Sequence, residues 1–416
     1  MEQRQRGLIF RDRDFRWFWS GQTVSVMGTQ FTTVALPLVA TLDLHAGAGA
    51  VGAIATATYL PNVVMPLLSG HWLEHRRRRP PMIGADLVRA CVLALVPLAA
   101  LWHVASLPLL TVVAFLVGAA SVVFDVGSFA YVPGLVADGD LPRANQALQG
   151  STTVAQVAGP GLAGLVVQWL GPPVAVLFDA VSYLASLIGI LGARQPEPPP
   201  AQADGGRRDV LGGVRILIRN PVLRSLTIHA GTYNVGAQIL FVNLLVWLIT
   251  DHHVSAGLYG VALSAAGVGA FGGTMVVLRI SARIGLGSTY ALMLVLFTGL
   301  PLVYAALPMT GTALGLTVAG IELLTGIGLG AANVLSVTLR QAAVPRSALA
   351  RSIGAYRLLI FGVIPLGGVA AGVIGTRFGS RTGVAVGAVV MALSALPMLL
   401  GQVRRLRDPS DLAPVA

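Results

Sequence analysis

The chain has 416 residues, 55% of them hydrophobic and only 11% charged, with fifty glycines and a mean hydropathy of +0.77. Such values exclude an ordinary soluble enzyme, whose buried apolar strands run about 4–8 residues, and point to an integral membrane protein. The basic side chains, 28 in number and all arginine, give a net charge of +11; the lack of lysine excludes a Gly-Lys phosphate loop, and their short clusters between apolar blocks reflect membrane topology rather than nucleic-acid binding.

Apolar blocks of about 20 residues, the length that crosses a bilayer as helix, begin near Phe18, Ala48, Pro81, Leu107, Ala144, Val174, Leu226, Ala256, Thr289, Thr312, Ser352 and Gly383. They predict twelve transmembrane spans. The segment ahead of span 1, "MEQRQRGLIFRDRDFRW", mixes charges and offers no small-residue cleavage site, so span 1 is expected to remain in the protein. Arginines occur before span 1, between spans 2 and 3 (Arg76 to Arg79), 4 and 5 (Arg143), 6 and 7, 8 and 9, 10 and 11, and after span 12. By the positive-inside rule those segments face the cytoplasm, with both termini inside. One predicted outer loop, "GTRFGSR", breaks the pattern with Arg377 and Arg381.

In span 3, Asp86 and Arg89 stand i, i+3 on one face and are expected to pair. Cys91 is alone, so neither a disulfide framework nor a Cys-rich metal site is available. Asp125 in span 4 and Asp179 in span 6 are read as nearer the membrane surfaces, with capping, pairing to arginine or coupling as open roles. In span 5, "GSTTVAQVAGPGLAG" combines small residues for close helix approach with a proline. The Pro-rich and Gly-rich interval after span 6 cannot pack a core. Within it Val210, Leu211, Val214 and Ile218 recur at helical spacing beside Arg215 and Arg219, giving either a short amphipathic helix on the inner membrane surface or a solvated loop. His229 in span 7 reads as a packing group, and His252 and His253 as solvated loop residues. Glu322 lies about ten residues into span 10, roughly 15 Å deep at 1.5 Å per residue. Desolvation there makes a bound proton the expected use of its carboxyl. Arg357, in span 11, is the second base expected on a buried side. "LPRANQALQGSTTVAQVAGPGLAGLV" and "VPRSALARSIGAYRLLIFGVIPLGGVAAG" echo each other before and within spans 5 and 11, as expected of an internal duplication.

The string "RDFRWFWSGQTVSVMGT", the loop Gly70 to Arg79, "YVPGLVADGDLPRANQALQ", "GPGLAG" and "GGVRILIRNPVLR" together resemble the major facilitator superfamily, within it the drug and siderophore exporters related to the enterobactin exporter and macrolide efflux pumps. The fold implied is an all-α membrane protein of twelve transmembrane helices in two pseudo-symmetric six-helix halves. The halves are placed at residues 1–192 and 222–402, with a cytoplasmic linker at 193–221 and a cytoplasmic tail at 403–416. The superfamily's loop between helices 2 and 3, Gly-x-x-x-Asp-Arg-x-Gly-Arg-Arg, falls on Gly70, Glu74, His75, Arg77, Arg78 and Arg79. Glu74 keeps the carboxylate, while His75 and Arg77 depart from the pattern. The resemblance implies a cytoplasmic latch formed by Gly70, Glu74, Arg78 and Arg79, helped by Asp86 and Arg89; a plain topology anchor is the alternative. Gly150, Gly159, Pro160 and Gly164 resemble the antiporter motif of exporting members.

The function implied is secondary active, proton-coupled efflux of small, largely apolar molecules. The alternatives are a siderophore exporter, a lipid-acting membrane enzyme and a non-transporting receptor-like protein. Proton-coupling candidates are Glu322, Asp125 and Asp179. Gln22, Tyr59, Asn62, Asn234, Gln238 and Asn243 are the candidate cavity lining. No metalloprotease, nucleophile-elbow or dinucleotide motif stands out. No cofactor, metal or nucleic-acid partner is expected. The expected partners are a small-molecule substrate, protons and membrane lipid, for a monomer in the plasma membrane.

Overall fold

The computed structural model describes residues 12–63, 65, 77–195 and 210–408, and the secondary structure there is helical throughout. The helices are α1 (Arg13–Leu38), α2 (Ala48–Tyr59), α3 (Arg79–Leu101), α4 (Leu107–Leu135), α5 (Leu141–Leu170) and α6 (Pro172–Gly192). There follow α7 (Val210–Arg219), α8 (Pro221–Val246), α9 (Ala256–Ile284), α10 (Leu286–Phe297), α11 (Gly311–Ala343), α12 (Arg346–Gly362), α13 (Ile364–Phe378), α14 (Ser380–Leu393) and α15 (Leu396–Leu400). Eleven stretches among the described residues are long and apolar enough to cross a membrane; α2 stands where the sequence places the remaining span. In each stretch the most apolar window is only 22–67% buried inside the protein. The rest of that apolar surface needs lipid as its solvent.

Element ends follow local chemistry. Asp12 accepts a hydrogen bond from the Phe15 amide at 2.9 Å, and Asn220 accepts from Val222 and Leu223 at 2.9 and 3.1 Å; each satisfies amides that the first helical turn leaves unpaired. Gly171, Gly285 and Gly379 join consecutive spans at φ of 86–87° with ψ of 157–159°, a conformation open essentially to glycine alone. Gly171 and Gly379 occupy equivalent junctions, before the last span of each half. α1 and α8 likewise both end in a five-residue π-helical turn, Val39–Asp43 and Trp247–Asp251. The repeat legible in the sequence thus recurs in backbone geometry.

The chain divides into two compact units, Met1–His45 with Ala57–Gly206, and Ala46–Thr56 with Arg207–Ala416. In the first, α1 packs closely on α6 and α5. Gly21 and Gly189 bring the α1 and α6 backbones together, and Gly159 of α5 leaves room for the Gln30 side chain. Gly150, by contrast, faces open space, so close packing accounts for one end of the predicted motif only. Pro160 is buried and Gly164 lies beside it, yet α5 remains one continuous helix. In the second unit, α9 and α11 meet backbone to backbone: a Cβ on Gly269 or Gly273 would strike the Leu323 or Ile327 carbonyl, and one on Gly326 or Gly330 the Ala266 or Ala270 carbonyl. These two interlocked Gly-x-x-x-Gly pairs are a small-residue seam. Ala46–Thr56, although it precedes α3 in the chain, packs within this unit, where Gly52 lies against Gly368 and Gly372 of α13.

Three peripheral segments are held by contacts that the sequence did not predict. Val210–Arg219 is a helix, one of the two expected readings; its Leu217 is buried in a cluster with Leu223, Val344, Ala355 and Tyr356, with Val214 partly buried against it, while Ile218 is 56% exposed. Residues 403–407 do not form a free tail. Val403 is fully buried, and the Leu286 and Gly287 amides donate to the Arg407 and Leu406 carbonyls at 3.1 and 2.9 Å. Arg381, in the arginine-bearing loop expected on the outer side, donates through Nε and Nη2 to the Ala305 carbonyl at 3.0 and 2.6 Å. That carbonyl lies at the C-terminal end of the 3-10 turn Leu300–Ala306, where a cation is favourable.

Candidate functional site

Ionisable side chains are buried inside each unit. In the first, the i, i+3 spacing of Asp86 and Arg89 on α3 gives the expected ion pair. Asp86 is 0% and Arg89 5% exposed. The second Asp86 oxygen accepts from Ser186 Oγ of α6 at 2.7 Å, and Ser186 in turn accepts from Gln22 Nε2 of α1 at 2.7 Å. The Arg89 guanidinium lies 4.3 Å from the Phe124 ring centroid and 4.2 Å from that of Tyr183, held by two aromatic faces.

Asp179, Ser182, Tyr183 and Ser186 share a face of α6 by their i, i+3, i+4, i+7 spacing. Asp179 Oδ1 accepts from Ser182 Oγ at 3.0 Å. Its Oδ2 is buried beside the equally buried Thr32 hydroxyl without a well-formed hydrogen bond. Asp179 lies within electrostatic reach of the Arg89 guanidinium, which is paired with Asp86, so two carboxyl groups face one cation inside these helices.

The predicted site residues of this unit differ in their settings. Asp179 is 0% exposed and is the eighth residue of the 21-residue α6, so it is enclosed by protein. Among the described residues Asp86 and Arg89 are engaged with α1, α4 and α6 inside the first unit. Of the loop assigned to a latch, Gly70 and Glu74 lie outside the described residues. Arg78 precedes α3, and Arg79 Nη2 donates to the Leu191 carbonyl at 3.0 Å, at the C-terminal end of α6. Asp125 is exposed on α4.

The second unit holds an acid of another kind. Glu322 is the twelfth residue of α11 and 4% exposed. Tyr304, fully buried, donates its hydroxyl to Glu322 Oε1 at 2.7 Å. Tyr233 of α8 and Tyr259 of α9 lie within electrostatic reach of the carboxylate. No cation pairs with Glu322 among the described residues. Arg357 lies 5.9 Å from the Phe361 ring centroid. His229 packs, as expected: its Nδ1 donates to the Ser394 carbonyl at 2.8 Å. The ring of His252 stacks edge-on against Trp247 at 4.6 Å, so this loop histidine is more than a solvated group.

Near this acid, a cavity of about 220 Å³ opens between α8, α10, α11 and α12. Of the six predicted lining residues only Asn234 borders it. Gln22 is committed to the Asp86 network, and Asn243 is fully buried, donating to the Ile239 and Ala371 carbonyls. Gln238 packs against Gly367, while Tyr59 and Asn62 are half-buried at the end of α2. The bordering Tyr290, Asn333, Ser336, Arg340 and Tyr356 were missed, although Asn333, Ser336 and Arg340 recur at i, i+3, i+7 on α11. The described residues include no cluster of three potential metal ligands.

Two units of apolar spans, each enclosing buried acidic side chains, fit a membrane transporter. Residues 18–368 match the sequence profile of the Major Facilitator Superfamily, and the chain belongs to that family: it is a multi-pass membrane transporter of small molecules, not an enzyme. It is 24% identical to the uncharacterized MFS-type transporter YvqJ of Bacillus subtilis over 96% of this chain and 95% of that one. It is 25% identical to the multidrug efflux pump Tap of Mycobacterium tuberculosis over 94% of both chains. A bacterial homologue of the iron transporter ferroportin, solved in an inward-facing state, shares the fold with a TM-score of 0.72 at 17% identity, covering 93% of this chain and 98% of that chain.

Proposed function

We propose that this protein is a proton-coupled exporter of small, largely apolar molecules, resident in the plasma membrane with both termini in the cytoplasm, and that Glu322 carries the coupled proton. The observation that carries this reading is the setting of Glu322: buried in the middle of a span, hydrogen-bonded by one tyrosine and paired with no cation among the described residues. A charge held there without a partner is costly, so proton gain and loss is the step by which Glu322 responds to the side from which water reaches it. Asp86, by contrast, already has a guanidinium. The similarity to Tap and the exporter-like Gly159-Pro160 step in α5 support the outward direction.

The test is transport in proteoliposomes under an imposed proton gradient, with a panel of cationic, neutral and anionic lipophilic dyes. Glu322→Gln keeps size and most packing but cannot exchange a proton. It is expected to bind and passively exchange substrate without concentrating it. Asp179→Asn and Asp125→Asn are the comparisons: gradient-driven transport by the Glu322 variant, with its loss in one of these, moves the role to that acid. Normal pumping by all three rejects coupling through a membrane carboxylate.

A further inference from the structure

The cavity in the second unit has a lining unlike that of a packing defect. At about 220 Å³ it matches roughly seven water volumes, enough for a two-ring organic molecule and far too little for a diacyl lipid. Its one charged lining residue is Arg340, and no carboxylate borders it. Arg340 is held in place: Nε donates to the Ser336 carbonyl at 3.1 Å, and the guanidinium lies 3.8 Å from the Tyr356 ring centroid. No acidic residue pairs with it among the described residues, so the two terminal nitrogens of the fork remain for another acceptor.

The aromatic part of the lining is equally well positioned. His229, anchored to Ser394, meets Tyr290 edge to face with centroids 5.8 Å apart. Asn234 spends its Nδ2 on the Ile360 carbonyl at 2.8 Å. Aromatic rings and amides in the lining, with Tyr290 within electrostatic reach of the stacked guanidinium of Arg340, describe a recognition surface for a flat, mostly apolar body ending in an acidic group.

We propose that this cavity binds organic anions, with the planar body against Tyr290 and the carboxylate or equivalent acid on the Arg340 fork. This names the class of molecule moved and rests on the transport reading only for its consequence; binding itself depends neither on direction nor on coupling. Lipophilic cations are disfavoured, because Arg340 repels them and nothing in the lining neutralises them.

The test uses the full-length protein in phosphatidylcholine nanodiscs and three near-isosteric probes, 2-naphthoate, 2-naphthamide and 2-naphthylmethylammonium, with binding read by equilibrium dialysis. Naphthoate is expected to bind at least about tenfold tighter than the amide, as a charge-assisted bidentate pair allows, and the ammonium to show no saturable binding. Arg340→Gln should bring naphthoate down to the amide's affinity and leave the amide unchanged. Arg340→Lys should keep the order with weaker binding, since it retains charge but loses the fork. Asn333→Asp, at an exposed lining position, places an acid in the cavity and should abolish the naphthoate preference even if Arg340→Gln fails to fold. Equal binding of the three probes to the native protein overturns the proposal, as does a preference that survives both Arg340→Gln and Asn333→Asp. Loss of naphthoate binding when phosphatidylglycerol replaces phosphatidylcholine would assign Arg340 to lipid headgroups and also overturn it. Normal pumping by the Glu322 variant, with the probe order intact, would reject the coupling assignment and leave this one standing.

Discussion

Replacing Arg89 with methionine removes the one cation from a buried set that includes two carboxylates, while keeping an unbranched side chain between Phe124 and Tyr183. Asp86 keeps its hydrogen bond from Ser186 but loses its ion pair. Breaking a buried pair on one side costs about 3–5 kcal/mol, because the remaining charge is left uncompensated. Loss of the cation from two ring faces, at 4.3 and 4.2 Å, adds roughly 1 kcal/mol. For a unit of this size, 1 kcal/mol corresponds to about 2–4 °C in melting temperature, so the expected fall is roughly 8–24 °C. The double variant Asp86→Asn with Arg89→Met removes both charges and retains the Ser186 contact, and should recover most of that loss. Scanning fluorimetry of the detergent-purified proteins measures both. An Arg89→Met protein melting within about 2 °C of the native one, or a double variant no better than the single, would refute the charge-balance reasoning.

The glycine seam of the second unit provides a matched pair. Gly273→Ala drives a Cβ into the Ile327 carbonyl and should cost about 1–3 kcal/mol, whereas at the adjacent Gly272 an added methyl would have no atom within 4 Å and alanine should be neutral or stabilising by up to about 1 kcal/mol; comparative melting of the two variants decides. Topology is checked with a membrane-impermeant maleimide in a background where the exposed Cys91 is replaced by alanine. Cysteine at Ala46 should label from outside, and at Ala203 only after permeabilisation. The Arg377–Arg381 loop is probed at Phe378, which is 66% exposed, rather than at Gly379, whose φ of 86° disfavours any side chain; it too should label from outside.

Much of the helical architecture was legible in the chain because a bilayer imposes a local rule: apolar blocks near 20 residues become helices. Starts expected near Ala48, Leu107 and Ala256 coincide with α2, α4 and α9, and the Asp86–Arg89 pair followed from spacing within a single helix. The burial of Glu322 was likewise readable from its depth in an apolar run. The rest depends on which helix faces meet, and hydropathy carries no information about that. Asp179 joins the Arg89 neighbourhood because α6 packs across α1 and α3, not because of its neighbours in the chain. Arg381 finds the Ala305 carbonyl 76 residues away, and Val210–Arg219 finds its apolar partners on α12. The cavity at Arg340 is assembled from four helices, so its lining emerged only with the packing. Helices and pairs such as Asp86–Arg89 are set by interactions within one span; burial, long-range contacts and cavities are set by packing between spans.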